Sequence, residues 1–263
     1  MKAIICKNVK KPDDGSVSAV REKLISLEIE AEFSDKIHAD CDLVITVGGD
    51  GTILHYGKAA ARLNKPLLGI NTGRLGFMTS LEINELEKLE LLCEKKWEIS
   101  SRMMLDIELG EQVFLALNDA VFLKAMDSKM PEFNVRTSNT IVSEIRADGL
   151  ILSTPTGSTA YALSAGGPII EPSLHCIEIT PLCAHSLFGR PMILSAENPL
   201  FVQYCGKADT HSVYVSVDGE KALRFEIGDV AVIRKSALHL DLINLDDKNF
   251  HTAVSNKLMK PFK

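Results

Sequence analysis

Up to about residue 100 the apolar positions fall into two alternating patterns. Residues 3–6, 43–47 and 67–71 are short apolar runs, each reading as a buried strand, and Pro66 opens the last of them. Between them the spacing changes. Val17, Val20, Leu24 and Leu27 recur at helical intervals within residues 16–27, residues 52–63 form an alanine-rich helical stretch, and residues 82–96 return to a helical pattern. Strand and helix in alternation predict parallel strands joined by crossover helices, an α/β layer. In such layers ligands collect beyond the carboxyl ends of the strands, where residues 48–52 and 71–77 fall.

Past residue 100 the period shortens. Residues 104–109, 113–117, 133–136, 141–145, 150–153, 200–204, 213–217 and 230–233 are short segments with turns between them. Such spacing predicts an antiparallel, sandwich-like β domain. One helix is expected near residues 160–163 and another over the last turn, 252–259. The expected organisation is an α/β domain with a parallel sheet over residues 1–100, to which the tail 240–263 returns, and a β-rich domain over residues 101–239.

Composition narrows the function classes. With 263 residues, 46% apolar and 24% charged, the chain has the balance of an ordinary globular protein with a sizeable core. A net charge of −6 supplies no broad basic face, which argues against a nucleic-acid or membrane-surface partner. A nucleotide substrate needs only a few local cations and main-chain donors. The six cysteines are scattered without a C-x-x-C pair, so they read as reduced thiols rather than a disulfide framework or a zinc site. No run approaches membrane-spanning length and the N-terminal apolar stretch is too short for a signal peptide, so a cytoplasmic location is expected.

Candidate chemistry begins at Gly48-Gly49-Asp50-Gly51-Thr52, which follows an apolar run. Glycines let a polyphosphate approach main-chain N–H groups, whereas a carboxylate in their midst would repel it. Such a carboxylate has a place there if it holds a divalent metal or takes a proton from an attacking hydroxyl. The pairing points to phosphoryl transfer, although a tight turn with a helix-capping aspartate would carry the same residues. Neither the P-loop nor the dinucleotide fingerprint fits, because Gly57-Lys58 is followed by Ala59 and Leu54 stands where the last fingerprint glycine belongs. Asn71-Thr72-Gly73-Arg74-Leu75-Gly76-Phe77 forms a second glycine-bearing loop after a strand, so both loops should face one crevice. The third segment, residues 146–168, passes from a strand through a hydroxyl-rich turn into a small-residue helix. Thr156, Ser158 and Thr159 there are suited to capping a helix N-terminus, whose N–H groups suit ligand oxygens.

In this order and spacing, the Gly48–Thr52 box, the 71–77 loop, the Asn118-Asp119 pair and the 148–168 run closely resemble the NAD kinase family. The resemblance covers nearly the whole chain, from Asp42 to the tail. The first box alone is shared with diacylglycerol and sphingoid lipid kinases and loosely with phosphofructokinases, so a lipid or sugar kinase is the main rival; the 148–168 run is far more specific. A silent nucleotide sensor is a second rival, against which Asp50 argues.

The resemblance implies an enzyme that phosphorylates the 2′-hydroxyl of the adenosine ribose of NAD with ATP and Mg²⁺, giving NADP. It implies Asp50 as general base, and Gly48, Gly49, Gly51 and Thr52 at the ATP phosphates, with Mg²⁺ bridged by those phosphates rather than held by assigned protein ligands. NAD would meet Asp50, Gly51, His55, Asn118, Asp119, Arg146, Asp148, Thr159, Ala160, Tyr161, Ser164 and Cys183. In that set Asn118 would read the adenine edge, Asp119 the ribose hydroxyls and Asp148 the nicotinamide carboxamide. Asp148 often acts from a neighbouring subunit in the family, so a homodimer or homotetramer is implied. One departure stands at Glu220, where many bacterial relatives carry glutamine; Glu220 is therefore not counted in the site.

Overall fold

In the first of two units, β1 (Lys2–Lys7), β2 (Glu30–Phe33), β3 (Leu43–Val47), β4 (Leu67–Asn71) and β5 (Leu81–Glu82) pair in parallel, in the order β5-β4-β3-β1-β2. The computed structural model describes residues 1–7, 14–73, 76–94, 96–126, 129–185, 189–205, 212–220, 222–245 and 250–259. The first unit comprises Met1–Arg102 with Leu238–Lys263, and the second Met103–Ala237. Crossover helices α1 (Ser16–Ser26) and α2 (Asp50–Arg62) follow β1 and β3. Every residue of β3 and β4 is buried, which is why both read as unbroken apolar runs. Val20 and Leu24 of α1 share one core with Ile5, Ile45 and Ile70 of the sheet.

Three elements of this unit differ from expectation, the short strand β5 among them. β2 went unread because only Ala31 of its Glu-Ala-Glu-Phe sequence is buried; charge along an edge strand guards its open hydrogen-bonding side. Where a helix was expected over 82–96, the described residues form a 3₁₀ stretch, Ile83–Leu89, followed by a single α turn, α3 (Glu90–Cys93). Ile83, Leu86, Leu89 and Leu92 recur every three residues, and that interval matches the three-residue turn of a 3₁₀-helix.

β6 (Glu98–Leu109) leads into the second unit, which contains β7 (Gln112–Ala116), β8 (Asp119–Lys124), β9 (Glu132–Arg136), β10 (Ile141–Arg146), β11 (Gly149–Ser153), β12 (Cys176–Leu182), β13 (Met192–Ser195), β14 (Leu200–Cys205), β15 (Val213–Val217), β16 (Leu223–Phe225) and the first half of β17 (Val230–Asn244). One antiparallel sheet runs β13-β12-β11-β8-β15-β16. The other runs β10-β9-β14-β17, with β6 paired to β17 and to β7. Side chains from both fill one core. Phe122 of β8 meets Phe133 of β9 at 6.1 Å and Phe225 of β16 at 5.2 Å, while Tyr204 of β14 stacks on Phe225 at 6.5 Å. Two sheets sharing an aromatic core make a sandwich. The fold is thus a parallel α/β layer plus an antiparallel β sandwich, the class that the two apolar patterns predict.

β8, β12, β13 and β16 were not foreseen. In β12 the apolar run is broken by Glu178 and Pro181, yet both are buried strand residues. β17 continues well past the expected 230–233: polar Arg234, Lys235 and His239 break the apolar run, while Ser236, Leu240 and Leu242 stay buried along the strand. From Leu238 it belongs to the first unit, where Leu242 pairs with Leu67 of β4. Helix α4 (Tyr161–Ser164) is one turn long, after a 3₁₀ turn at Gly157–Thr159. The tail forms α5 (Phe250–Val254), which widens into a π-type turn at Ser255–Met259. All six cysteines are free thiols, and among the described residues no helix is long and apolar enough to cross a membrane.

Candidate active site

The chain leaves β3 at Gly48, where φ is 152° and an added Cβ would collide with Oγ1 of Thr52. Gly48 donates its N–H to the carbonyl of Ile70 at 2.8 Å, tying the turn to β4. The carbonyl of Gly49 accepts from the N–H of Thr52 at 2.8 Å, so the helix begins on main-chain bonds alone. Gly51 is different: nothing lies within 4 Å of where its Cβ would be.

Asp50, the first residue of α2, reaches the loop after β4. Its Oδ2 accepts from the Phe77 N–H at 2.7 Å and its Oδ1 from the Met78 N–H at 3.0 Å. A Cβ on Gly76 would collide with Oδ1, so this glycine makes room for the carboxylate. Asn71 shapes the start of the same loop. Its Oδ1 accepts from the Gly73 N–H at 3.2 Å, and its amide donates to the Gly73 carbonyl at 3.0 Å and to Glu82 Oε2 at 2.8 Å. The two glycine-bearing loops therefore meet at Asp50; Arg74 and Leu75 lie outside the described residues.

One cation stands beside this carboxylate, and a second is buried within reach of its charge. Lys257 Nζ stands 3.9 Å from Asp50 Oδ2 and 3.8 Å from the centroid of the Phe77 ring. Arg102 is 6% exposed, and its Nε is buried without a hydrogen-bond partner. Burial pulls the Arg102 guanidinium down to about 10 and lowers Lys257 as well, with the negative charge of Asp50 opposing both shifts. His55 is exposed and sets its ring edge-on to Tyr56 at 4.7 Å.

In the second unit, Asn118 immediately precedes β8, Asp119 opens it, and both are held from two sides. Asp218 Oδ2 accepts from the Leu117 N–H at 2.9 Å, while its Oδ1 accepts from Asn118 at 2.8 Å and Asp119 at 3.1 Å. From the other side, the Thr154 N–H donates to the Asn118 carbonyl at 2.8 Å and Thr154 Oγ1 donates to the Leu117 carbonyl at 2.6 Å. A Cβ on Gly157 would collide with the Asn118 carbonyl. With the backbone clamped, the Asn118 side chain leaves its Oδ1 buried and unpartnered. Burial first, and then the charge of Asp218, push the Asp119 carboxyl up to about 7. A buried amide oxygen without a donor fits a ligand that brings one.

The hydroxyls of the following run do not cap a helix. Ser158 Oγ donates to the Pro155 carbonyl at 2.7 Å and Thr159 Oγ1 to the Thr156 carbonyl at 3.1 Å. Thr154 Oγ1 takes the Gly157 N–H at 3.0 Å instead. Ala160 is partly exposed and Tyr161 and Ser164 are exposed along the single turn of α4. Beneath them Glu178 is fully buried and accepts from Thr180 Oγ1 at 2.6 Å and Ser153 Oγ at 3.2 Å, with burial raising its pKa.

Asp148, Arg146 and Cys183 gather at the other end of β11. Asp148 pairs with Lys124 at 2.8 Å and its N–H donates to the Leu182 carbonyl at 2.9 Å. Arg146 pairs with Glu132 of β9 at 2.9 Å, and not with Asp148. Cys183 is exposed, with a left-handed φ of 49°, just past β12. Asn118, Asp119 and Thr159 thus form one group and Arg146, Asp148 and Cys183 another, a strand length apart. Asp218, Arg102 and Lys257 were missed by sequence reasoning. Asp218-Gly219 gave a turn signal; the two cations carry no local pattern.

A carboxylate fixed at a helix head behind a glycine turn, with a cation beside it, places the chain among the nucleotide-handling phosphotransferases. Residues 3–96 match the ATP-NAD kinase N-terminal domain, and residues 117–245 match the ATP-NAD kinase C-terminal domain. The chain belongs to the ATP-NAD kinase family. It is 37% identical to the NAD kinase of Citrifermentans bemidjiense over 87% of this chain and 81% of that one. With the NAD kinase of Desulforamulus reducens it shares 36% identity over 89% of this chain and 83% of that one. The crystal structure of an NAD kinase from Archaeoglobus fulgidus in complex with ATP superposes with a TM-score of 0.80 at 29% identity, covering 98% of this chain and 99% of that one. Yeast NADH kinase complexed with NADH superposes with a TM-score of 0.82, over 100% of this chain and 89% of that one, and at 22% identity it shows the fold alone.

Proposed function

We propose that this chain transfers the γ-phosphoryl group of ATP to the 2′-hydroxyl of the adenosine ribose of NAD, giving NADP. The observation that carries the reading is the Asp50 carboxylate, fixed by two main-chain N–H groups at the head of α2 with open backbone at Gly51 beside it. Membership of the NAD kinase family supports the acceptor, and the ATP complex of the Archaeoglobus relative supports the donor.

In this reading Asp50 orients the ribose hydroxyl and takes its proton, acting chiefly through placement. Each carboxylate oxygen spends one lone-pair direction on the loop and keeps another for the substrate. Gly48 and Gly49 shape the turn, Thr52 packs it, and Gly51 opens main-chain access to phosphate. Asn118 Oδ1 accepts from the adenine amino group and Asp119 from ribose hydroxyls. Thr159, Ala160, Tyr161 and Ser164 line the adenosine, while Arg146, Asp148 and Cys183, a strand length away, serve the nicotinamide end. His55 belongs to the NAD contacts through its place on α2.

Among the described residues no group of three His, Cys, Asp or Glu side chains gathers as a metal cage. Mg²⁺ would arrive with ATP, carried chiefly by its phosphates, and would neutralise phosphate charge there. A cytoplasmic enzyme assembled as a homodimer or homotetramer completes the reading. The test is incubation with ATP, Mg²⁺ and NAD, with diacylglycerol in parallel. NADP is the expected product, and its absence at saturating substrate would overturn the reading.

A further inference from the structure

Lys257 stands at Asp50 within the first unit, Arg102 is buried within reach of the Asp50 charge, and the roles given above use neither. Lys257 comes from the tail, where its ammonium lies 3.8 Å from the Phe77 ring centroid and 3.9 Å from Asp50 Oδ2. The Phe77 N–H holds the same oxygen at 2.7 Å, so ring, amide and ammonium form one assembly around it. An aromatic face attracts a cation, which fixes where the ammonium stands without neutralising it. The Lys257 side chain is 22% exposed, so it is withdrawn from water at a cost to its charged form.

Arg102 is further withdrawn, at 6% exposure, and its Nε finds no acceptor. A buried guanidinium is ordinarily matched by a carboxylate or phosphate in bidentate contact. Among the described residues Arg102 forms no ion pair, and Asp50 is the anion whose charge acts on it. A part-buried ammonium beside one carboxylate, with a buried guanidinium within reach of the same charge, leaves a positive excess. Such a site favours an anion that arrives from outside.

We infer that Lys257 and Arg102 form the seat of the transferred phosphoryl group, where it meets the hydroxyl held by Asp50. The inference rests on the kinase reading above and adds two catalytic residues to it. As the ribose 2′-oxygen bonds to phosphorus, the bond from phosphorus to the ADP oxygen breaks and its electron pair leaves with ADP. The hydroxyl proton passes to Asp50. Negative charge on the phosphoryl oxygens faces the ammonium and the guanidinium throughout, and in a loose transition state such positioning and neutralisation carry most of the catalysis.

The test compares the wild-type protein with Lys257→Met, Lys257→Arg and Arg102→Lys in NADP formation, alongside NAD affinity by calorimetry and a denaturation midpoint for each. Lys257→Met is expected to lower kcat by about 100-fold, with the NAD dissociation constant changed by no more than about threefold. Lys257→Arg keeps the charge and should recover to within about tenfold of wild type. Arg102→Lys, chosen because it keeps a buried cation, should fall about tenfold in kcat. Wild-type turnover with an unimpaired Lys257→Met overturns the inference and leaves the kinase reading standing. Equal losses in Lys257→Met and Lys257→Arg at intact stability overturn the charge role. A wild-type protein that makes no NADP overturns the kinase reading and the inference with it.

Discussion

Asp218 accepts a hydrogen bond from the main-chain N–H of Asn118 at 2.8 Å, across 100 residues of sequence. It also takes the N–H groups of Leu117 and Asp119, and it does so from a left-handed φ of 51°. An aspartate tolerates that conformation better than most residues. Replacing it by asparagine puts an NH₂ where one of the accepting oxygens was. Asp218→Asn should therefore destabilise the fold by about 2 kcal/mol, since bonds to a charged acceptor are lost. Urea denaturation at fixed pH checks the value. The KM for NAD should rise in the same variant, because the Asn118 side chain is no longer aimed.

Asp119 predicts a pH dependence of stability with a definite sign. Its carboxyl is pushed up to about 7 from an ordinary value of 3.8. Between these values the native chain keeps a proton that the unfolded chain has lost. Stability from this group is therefore greatest at low pH and falls as the pH rises, by up to about 1.4 kcal/mol per unit. Above about 7 both states are ionised and the contribution is flat. Asp119→Asn does not titrate, so the wild-type stability minus that of the variant should slope downward across the window and then level. Denaturation midpoints of the two proteins between about pH 4 and 8 decide it. A flat difference would mean that Asp119 is ionised throughout.

What was legible in the sequence follows from how local each feature is. β3 and β4 were readable because five consecutive buried positions leave five consecutive apolar letters. β12 was not, because Glu178 is buried by Ser153 and Thr180, and those partners are remote or hidden by the alternation of the strand. The contrast of Asp50 with its glycines was visible at once. Its tie to Phe77 and Met78 was foreseen only as two loops facing one crevice. Arg102 and Lys257 left no trace, since a single cation in a strand or a tail looks like any solvated charge. The hydroxyls of Thr156, Ser158 and Thr159 misled in the opposite direction. They looked like helix caps, yet those of Ser158 and Thr159 donate to carbonyls one turn back.

Asp50→Asn separates turnover from binding. The amide keeps the shape and one acceptor for the loop, but takes no proton and cannot accept from both Phe77 and Met78. Turnover should be abolished, with NAD affinity kept within about tenfold. Gly76→Ala should approach the same result indirectly, because its methyl group would collide with Asp50 Oδ1 and displace the carboxylate. Single-turnover NADP formation and calorimetric NAD binding read the two quantities separately. Unchanged turnover in Asp50→Asn would remove Asp50 as the base.

Gly48 and Gly51 lie on either side of Asp50, two residues before it and one after, but answer to different constraints, and alanine at each distinguishes them. Gly48 has a φ of 152° and its missing Cβ is replaced by the hydroxyl of Thr52. Gly48→Ala must strain the backbone and push Thr52 aside, so a stability loss of about 2 kcal/mol is expected. Gly51 lies inside α2, is exposed, and has nothing within 4 Å of an added methyl. The fold gives no reason for glycine there. Gly51→Ala should stabilise the helix by about 0.5 to 1 kcal/mol, from propensity alone. If phosphate approaches the main chain at this point, the same methyl obstructs it. Activity should then fall by about tenfold or more while the melting temperature rises. A stabilised protein with full activity would show that the open space over Gly51 is not where the substrate sits.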